Sequence, residues 1–405
     1  MGIQKEKIKM RKPERKRLSS FSCAFLMIVL LSGHFAFGQP AGTDIVIGKR
    51  IALPSKVFNT EMAISIYLPA GYETSGLKYP VLYDLNAFAY FAYAAGTVEL
   101  LARNIEMPEM IIVGLPGLQD GYVPAAFEQR GSEPTAADRS LKFFSEDLIP
   151  YINGNYRTAG FNILCGHSVG GLFTMYALFT RPDLFSGYIA SSPWFQNNDQ
   201  YWLKQIDRMF QAESLAGKFL FMDVGKKEQA LTLSTYTELE KWMKSKDLKG
   251  LTWKSEWLEN VDHGSMLGLS LYDGLMFIFD GWKIPFDVIV SGDVAAILEH
   301  ADKVKAKFGG GLNYDVPENL LNQVGYQLLN TKSLDRALDI LTLNMKLHPN
   351  SPNAYDSLAE CYLIRGDKAK AKEYYELAIQ KNPGQTDYEK RILQNSKDKL
   401  KELSQ

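Results

Sequence analysis

Cysteine, histidine and long apolar runs are scarce in this chain, and each scarcity removes a class of protein. Three cysteines in 405 residues, Cys23, Cys165 and Cys361, are too few for a disulfide framework, and no Cys/His cluster has zinc-ligand spacing. No metal and no organic cofactor is expected. The apolar run Phe21–Leu31 has eleven residues, whereas a spanning helix needs ~20. The formal charge is only −1, so no excess of one sign marks the whole chain. That balance hides a basic start: residues 1–17 carry eight Lys/Arg and two Glu, and the remainder carries 37 basic and 44 acidic residues. An acidic body repels phosphate backbones, which excludes nucleic acid as a partner.

What the first 38 residues do hold is the order of a secretory leader. Basic residues come first, then Phe21–Leu31, then Ala36-Phe37-Gly38 with small residues before Gln39. This predicts a signal peptide over residues 1–38, cleavage, no stable membrane span afterwards, and an exported protein, periplasmic or extracellular.

Beyond the leader, the length suits two or three domains. Apolar strands at Tyr79–Leu85, Met110–Leu115, Phe161–Cys165, Gly187–Ala190, Lys218–Val224 and Thr252–Trp257 alternate with stretches of helical spacing. These are Tyr90–Arg103, Ala136–Ile152, Gly171–Phe179, Leu233–Lys244 and Ser265–Gly281. Two earlier strands, Ile45–Leu53 and Met62–Leu68, precede them. Such alternation predicts an α/β fold: a mostly parallel sheet with helices on both faces, over residues 39–290. Between Gly114 and Thr135 lies a Gly- and Pro-containing stretch without periodicity. It should cross the C-terminal edge of the sheet, where open α/β sheets bind ligands.

After about residue 290 the pattern becomes all-helical. Residues 291–317 read as a linker helix ending at Gly309-Gly310-Gly311. From 318 to 405 the chain repeats itself: Gly325, Ala337 and Pro349 recur 34 residues later as Ala359, Ala371 and Pro383. Tyr355, Leu358, Tyr362, Gly366, Tyr375 and Ala378 complete the second copy, while the first departs at Lys332 and Asn344. A 34-residue period with small residues where helices cross is the tetratricopeptide pattern. Two copies fall short of a free-standing solenoid, so the module should lean on the preceding domain or recruit a protein partner.

The chemistry centres on Gly166-His167-Ser168-Val169-Gly170, a G-x-S-x-G pentapeptide between an apolar strand and an apolar helix. In that context the serine occupies a sharp strand-to-helix turn, a nucleophile elbow. A serine needs a base. His167 adjoins it and is assigned to packing, while His300 and His348 fall in the helical tail. His263 remains, in the loop Val261–Ser265 after the last expected strand. The acid should fall between nucleophile and histidine in the chain. Glu228, in the turn after Lys218–Val224, is favoured, with Asp223 as the alternative. Asp262 adjoins His263, and neighbouring residues rarely meet well. The backbone N–H of Val169 is one expected oxyanion donor, and the segment Asn86-Ala87-Phe88 should supply the other.

These segments resemble the esterase D-like family of α/β hydrolases, which includes siderophore, feruloyl and other carbohydrate esterases, S-formylglutathione hydrolases and mycolyl transferases. The likeness rests on IYLPAGYE, YPVLYDLNAF, CGHSVGGLFTMYAL, IASSPWF, DVGKKE and DHGSM, spread through residues 62–282. It implies the glutamate at 228 as triad acid, Phe88 or its neighbour as an oxyanion donor, and Trp194 at the pocket border. Two departures touch the substrate side: GLPGLQDGYVPAAFEQR replaces an Arg-rich loop, and Asn86-Ala87 replaces Asp-Gly. The expectation is an exported serine esterase acting on a small-molecule ester, siderophore- or carbohydrate-linked, through an acyl-enzyme. The rivals are an acyltransferase or thioesterase on the same triad, and a catalytically silent scaffold.

Overall fold

The computed structural model describes residues 44–116, 135–195, 203–204, 206–207, 215–248, 250–309, 312 and 314–404. The expected leader and its cleavage site, most of the loop 114–135, and Gly310-Gly311 lie outside the described residues. Ile47–Gln405 form one compact unit.

Eight strands make one sheet: β1 (Lys49–Ser55), β2 (Thr60–Tyr67), β3 (Tyr79–Asp84), β4 (Ile111–Gly114), β5 (Thr158–His167), β6 (Gly187–Ser191), β7 (Phe219–Gly225) and β8 (Thr252–Leu258). Their order is β1-β2-β4-β3-β5-β6-β7-β8. Only the β1–β2 and β2–β4 pairs are antiparallel; β4 through β8 run parallel. This is the α/β-hydrolase fold. The sequence patterns follow from position in the sheet. The inner strands β3 to β7 have helices on both faces and are buried along almost their whole length, so they read as continuous apolar runs. Next to the edge strand β1, β2 alternates, turning Met62, Ile64 and Ile66 inward.

Fourteen described helices frame the sheet: α1 (Tyr72–Ser75), α2 (Ala87–Arg103), α3 (Ala136–Phe143), α4 (Ile149–Asn155), α5 (Val169–Thr180), α6 (Ala230–Ser245), α7 (Leu267–Ile278), α8 (Phe286–Ser291), α9 (Val294–Phe308), α10 (Glu318–Asn330), α11 (Leu334–Leu347), α12 (Pro352–Ile364), α13 (Lys368–Lys381) and α14 (Asp387–Leu403). Because side chains alternate along a strand, the sheet has two separate cores. Val81, Tyr83, Leu164, Tyr188 and Met222 meet α3 to α6 on one face. Leu82, Ile112, Ile163, Ile189 and Phe221 meet α2 and α7 on the other.

The single helix expected over 136–152 is interrupted. A wide π turn, Phe144–Leu148, joins α3 to α4. Pro150 has no N–H for the preceding turn, and the widened turn accommodates it. The turn also aims buried Asp147 at β1, where its Oδ2 accepts from the Ser55 hydroxyl (2.7 Å) and the Val57 amide (3.1 Å).

The second core does not end with the sheet. It runs on through α9 to α12 as one cluster reaching Leu358 and Cys361. Its hinge is aromatic. Phe308 lies 5.9 Å from Phe219, 5.5 Å from Phe279 and 5.6 Å from Trp282, ring centre to ring centre, and Trp282 meets Tyr314 edge-on at 5.0 Å. Helices α10 and α11 pack as one pair and α12 and α13 as another, each pair joined by a short turn. Small residues sit where the pairs touch: Ala359 and Ala371 are fully buried, and a methyl at Gly325 would collide with Leu341.

Candidate active site

Strand β5 ends at His167 and α5 begins at Val169, so Ser168 makes the whole turn between them. Its backbone sits at φ 59°, ψ −118°, a conformation that L residues other than glycine avoid. Three hydrogen bonds hold it there. Its amide donates to the Ser191 carbonyl (2.9 Å), and its own carbonyl accepts from the amides of Leu172 and Trp194 (3.0 Å each). The neighbouring glycines are steric requirements: a Cβ on Gly166 would strike the Gly170 carbonyl, and one on Gly171 would lie 2.7 Å from the Ser191 carbonyl oxygen.

The structure brings Ser168, His263 and Glu228 together. His263 Nε2 is 3.0 Å from Ser168 Oγ. On the other side of the ring, Nδ1 is 2.9 Å and 3.0 Å from the two carboxylate oxygens of Glu228. Glu228 reaches this position from the turn after β7, which is tied to the histidine loop. The Lys226 amide donates to Leu258 O (2.9 Å) and the Lys227 amide to Val261 O (3.0 Å). Gly225 permits the approach, since a Cβ there would sit 2.5 Å from Val261 O.

Asp223, the alternative acid, lies in β7 beside Ser191 and Glu256 and is fully buried. Burial pushes its carboxyl up to about 7, against the lowering effect of the Ser270 and Ser191 hydroxyls. For Glu228, burial also acts upward, but the hydrogen bonds from His263 and Ser192 outweigh it and hold the carboxyl below its ordinary value. Asp262 turns back into its own loop, accepting from the Ser265 amide (3.0 Å) and hydroxyl (2.7 Å).

His167 packs as assigned, and its neighbour is His263, with ring centres 4.5 Å apart. It follows Cys165 by two on the strand and so points to the same face, the side from which the His263 loop leads into α7. Burial and the adjacent His263 push the His167 imidazole down to about 4. It is therefore neutral wherever a serine nucleophile works.

Val169 opens α5, while Ala87 and Phe88 open α2, so their amides are among those a helix leaves without an intrahelical acceptor. Both helices start from the C-terminal ends of adjacent parallel strands, β5 and β3. The Phe88 side chain is exposed and Trp194 is half-buried.

Two contacts escaped the sequence reading. Asn86 links the two loops: its amide donates to Asp84 Oδ1 (2.9 Å), and its side-chain carbonyl accepts from the His167 amide (2.9 Å). Ser192 is fully buried, and its hydroxyl donates to Glu228 Oε1 at 2.6 Å. Asn86 carried a signal as a departure from the Asp-Gly pattern; Ser192 carried none beyond lying in SSPWF.

The sequence profile described as "Putative esterase" matches residues 55–258, half of the chain. The chain belongs to this family. The match holds Ser168 and Glu228 and stops five residues before His263. Among the relatives of this esterase-family chain is the ferri-bacillibactin esterase BesA of Bacillus subtilis, 30% identical over 151 residues, which are 32% of this chain and 52% of that protein. Another is the siderophore enterobactin esterase of Emericella nidulans, 28% identical over 190 residues, covering 39% and 62%. The chain thus spans between half and two thirds of the length of these two relatives. An IroE-like serine hydrolase from Shewanella oneidensis shares the fold, with a TM-score of 0.60 at 24% identity over 74% of this chain and 99% of that one. Among the described residues no helix is long and apolar enough to cross a membrane.

Proposed function

We propose that this protein is a serine esterase that hydrolyses a carboxylic ester, with Ser168 as nucleophile, His263 as general base and acid, and Glu228 as the orienting carboxylate. The observation that carries the reading is the continuous relay from Ser168 Oγ through His263 Nε2 and Nδ1 to Glu228, with bonds of 3.0 and 2.9 Å. In this mechanism His263 Nε2 takes the Ser168 proton as Oγ bonds to the ester carbonyl carbon. The resulting oxyanion faces the amides of Val169 and of Phe88 or Ala87, where two helix N-termini converge. His263 then returns the proton to the leaving alkoxide. A water, deprotonated by the same nitrogen, attacks the acyl-enzyme; the acid leaves and Ser168 regains its proton. Glu228 keeps the Nδ1 proton in place and stabilises the imidazolium formed in each half.

The names of the relatives favour a siderophore ester over a carbohydrate-linked one. The leader-like first 38 residues support export. The paired helices α10–α13, with their 34-residue period, support a tetratricopeptide-like module that completes the core of the esterase part.

The test is hydrolysis of a short-chain p-nitrophenyl ester by residues 39–405 beside Ser168→Ala, with circular dichroism to check folding. Loss of turnover in a folded Ser168→Ala supports the reading, and labelling of Ser168 by a fluorophosphonate supports it without a substrate. Equal rates in the two proteins refute it.

A further inference from the structure

Residues 191–194 touch the nucleophile and the acid at once. Ser191 O accepts the Ser168 amide, and the Trp194 amide donates to Ser168 O. Between them Ser192 turns the other way, towards Glu228. Its backbone has φ +39°, a region that favours glycine, yet the residue is serine. The Ser192 amide donates to Asp223 O at 2.9 Å, which holds the strained turn against the end of β7. The Ser192 hydroxyl lies 2.6 Å from Glu228 Oε1 and 3.2 Å from His263 Nδ1.

We propose that Ser192 is a positioning residue for the hydrolysis, a fourth member of the relay that fixes Glu228 and His263 relative to each other through its hydroxyl. This rests on the serine-esterase reading above. The argument is one of donors and acceptors. An ionised carboxylate only accepts, so the Ser192 proton points to Oε1. That leaves an oxygen lone pair of Ser192 facing Nδ1. Nδ1 is then surrounded by three acceptors, Oε1, Oε2 and Ser192 Oγ, and must carry the proton. Nε2 is left with its lone pair towards Ser168, the tautomer a general base requires. Glu228 needs this clamp because it stands on a turn, not on a strand. Without the hydroxyl, Oε1 loses a short charge-assisted bond and the carboxylate is free to rotate away from Nδ1.

The decisive variant is Ser192→Gly, compared with Ser192→Ala. Glycine removes the hydroxyl and also relieves the positive φ, whereas alanine removes the hydroxyl and keeps the strain, so the pair separates the two effects. On p-nitrophenyl butyrate, both variants should lose roughly 10- to 100-fold in kcat, the effect of one hydrogen bond to a charged group, with KM changed less than about twofold. The low-field proton resonance of His263 Nδ1–H should shift in both variants, and Ser192→Gly should melt no lower than Ser192→Ala. Three results overturn the assignment: wild-type kcat in Ser192→Gly, an unmoved Nδ1–H resonance, or a kcat loss that only tracks a lowered melting temperature. Ser168→Ala and Glu228→Gln serve as controls. If they abolish turnover and Ser192→Gly keeps wild-type kcat, only this inference fails; if Ser168→Ala keeps turnover, the esterase reading fails first.

Discussion

Asp223→Asn replaces a carboxyl that the sheet buries completely with a neutral side chain of nearly the same shape. In the folded protein this carboxyl titrates at about 7, while its ordinary value is 3.8. A folded-state pKa raised above the unfolded one means that the native state holds the proton more tightly. Stability from this group is therefore fully present below about 3.8 and is lost as pH rises through about 7. At 1.36 kcal/mol per pH unit, the interval from 3.8 to about 7 corresponds to about 4 kcal/mol. Asparagine cannot ionise and escapes this loss. Urea denaturation of both proteins between pH 4.5 and 8.5 should show the variant gaining on the parent by about 3 kcal/mol across that range. The gain should level off above pH 8. A stability difference that does not depend on pH refutes the reasoning, because it would mean that the carboxyl does not titrate in this window. The same protein settles the choice of acid. Its turnover should stay within about threefold of the parent, since the bonds to His263 come from Glu228. A loss of several hundredfold would return the role to Asp223.

Glu228→Gln should keep its fold and lose roughly 10³–10⁴-fold in kcat, because an amide can donate to Nδ1 and favour the wrong tautomer; steady-state kinetics with circular dichroism checks this. Gly225→Ala should lower kcat about tenfold or more with a cooperative unfolding transition retained, since the new methyl would press on Val261 O and part the acid turn from the histidine loop. Trp282→Ala should cost about 3–5 kcal/mol in a single denaturation transition that includes the helical tail. Two separate transitions would show that the cluster of Trp282, Phe308 and Tyr314 does not couple the parts.

The fold could be read from the sequence because its inner strands are buried on both faces. YPVLYD, FNILC and KFLFMDV can hardly be anything but central strands, and the serine pentapeptide falls where a strand gives way to a helix. Elimination among the four histidines after the leader led to His263 because the alternatives lay beside the serine or in the helical tail. What stayed hidden depends on backbone shape and on contacts across loops. Nothing in SSPWF announces that Ser192 adopts φ +39° or that its hydroxyl reaches a residue 36 positions later. The side-chain bond from Asn86 to the His167 amide spans 81 positions and has no local signature. The π turn before Pro150 has the apolar spacing of ordinary helix, which is why nothing in the sequence marks it. The 34-residue repeat gave the helix pairs, but not the aromatic joint, whose members Phe161, Phe219, Phe279 and Phe308 are scattered through the chain.

That joint bears on how the protein is made. Phe161, Phe219, Phe279 and Trp282 all leave the ribosome before Phe308 and Tyr314, which close over them. The rest of the same core, up to Cys361, follows later still. At 5–20 residues per second, the roughly 30 residues from Trp282 to Tyr314 take on the order of 2–6 s to appear. For that interval one face of the sheet has its aromatic patch open to water and to other chains. A message truncated near codon 290 would leave it open permanently. Nascent chains stalled between positions 285 and 310 are thus the species most in need of a chaperone, and their aggregation should fall sharply once Phe308 has emerged.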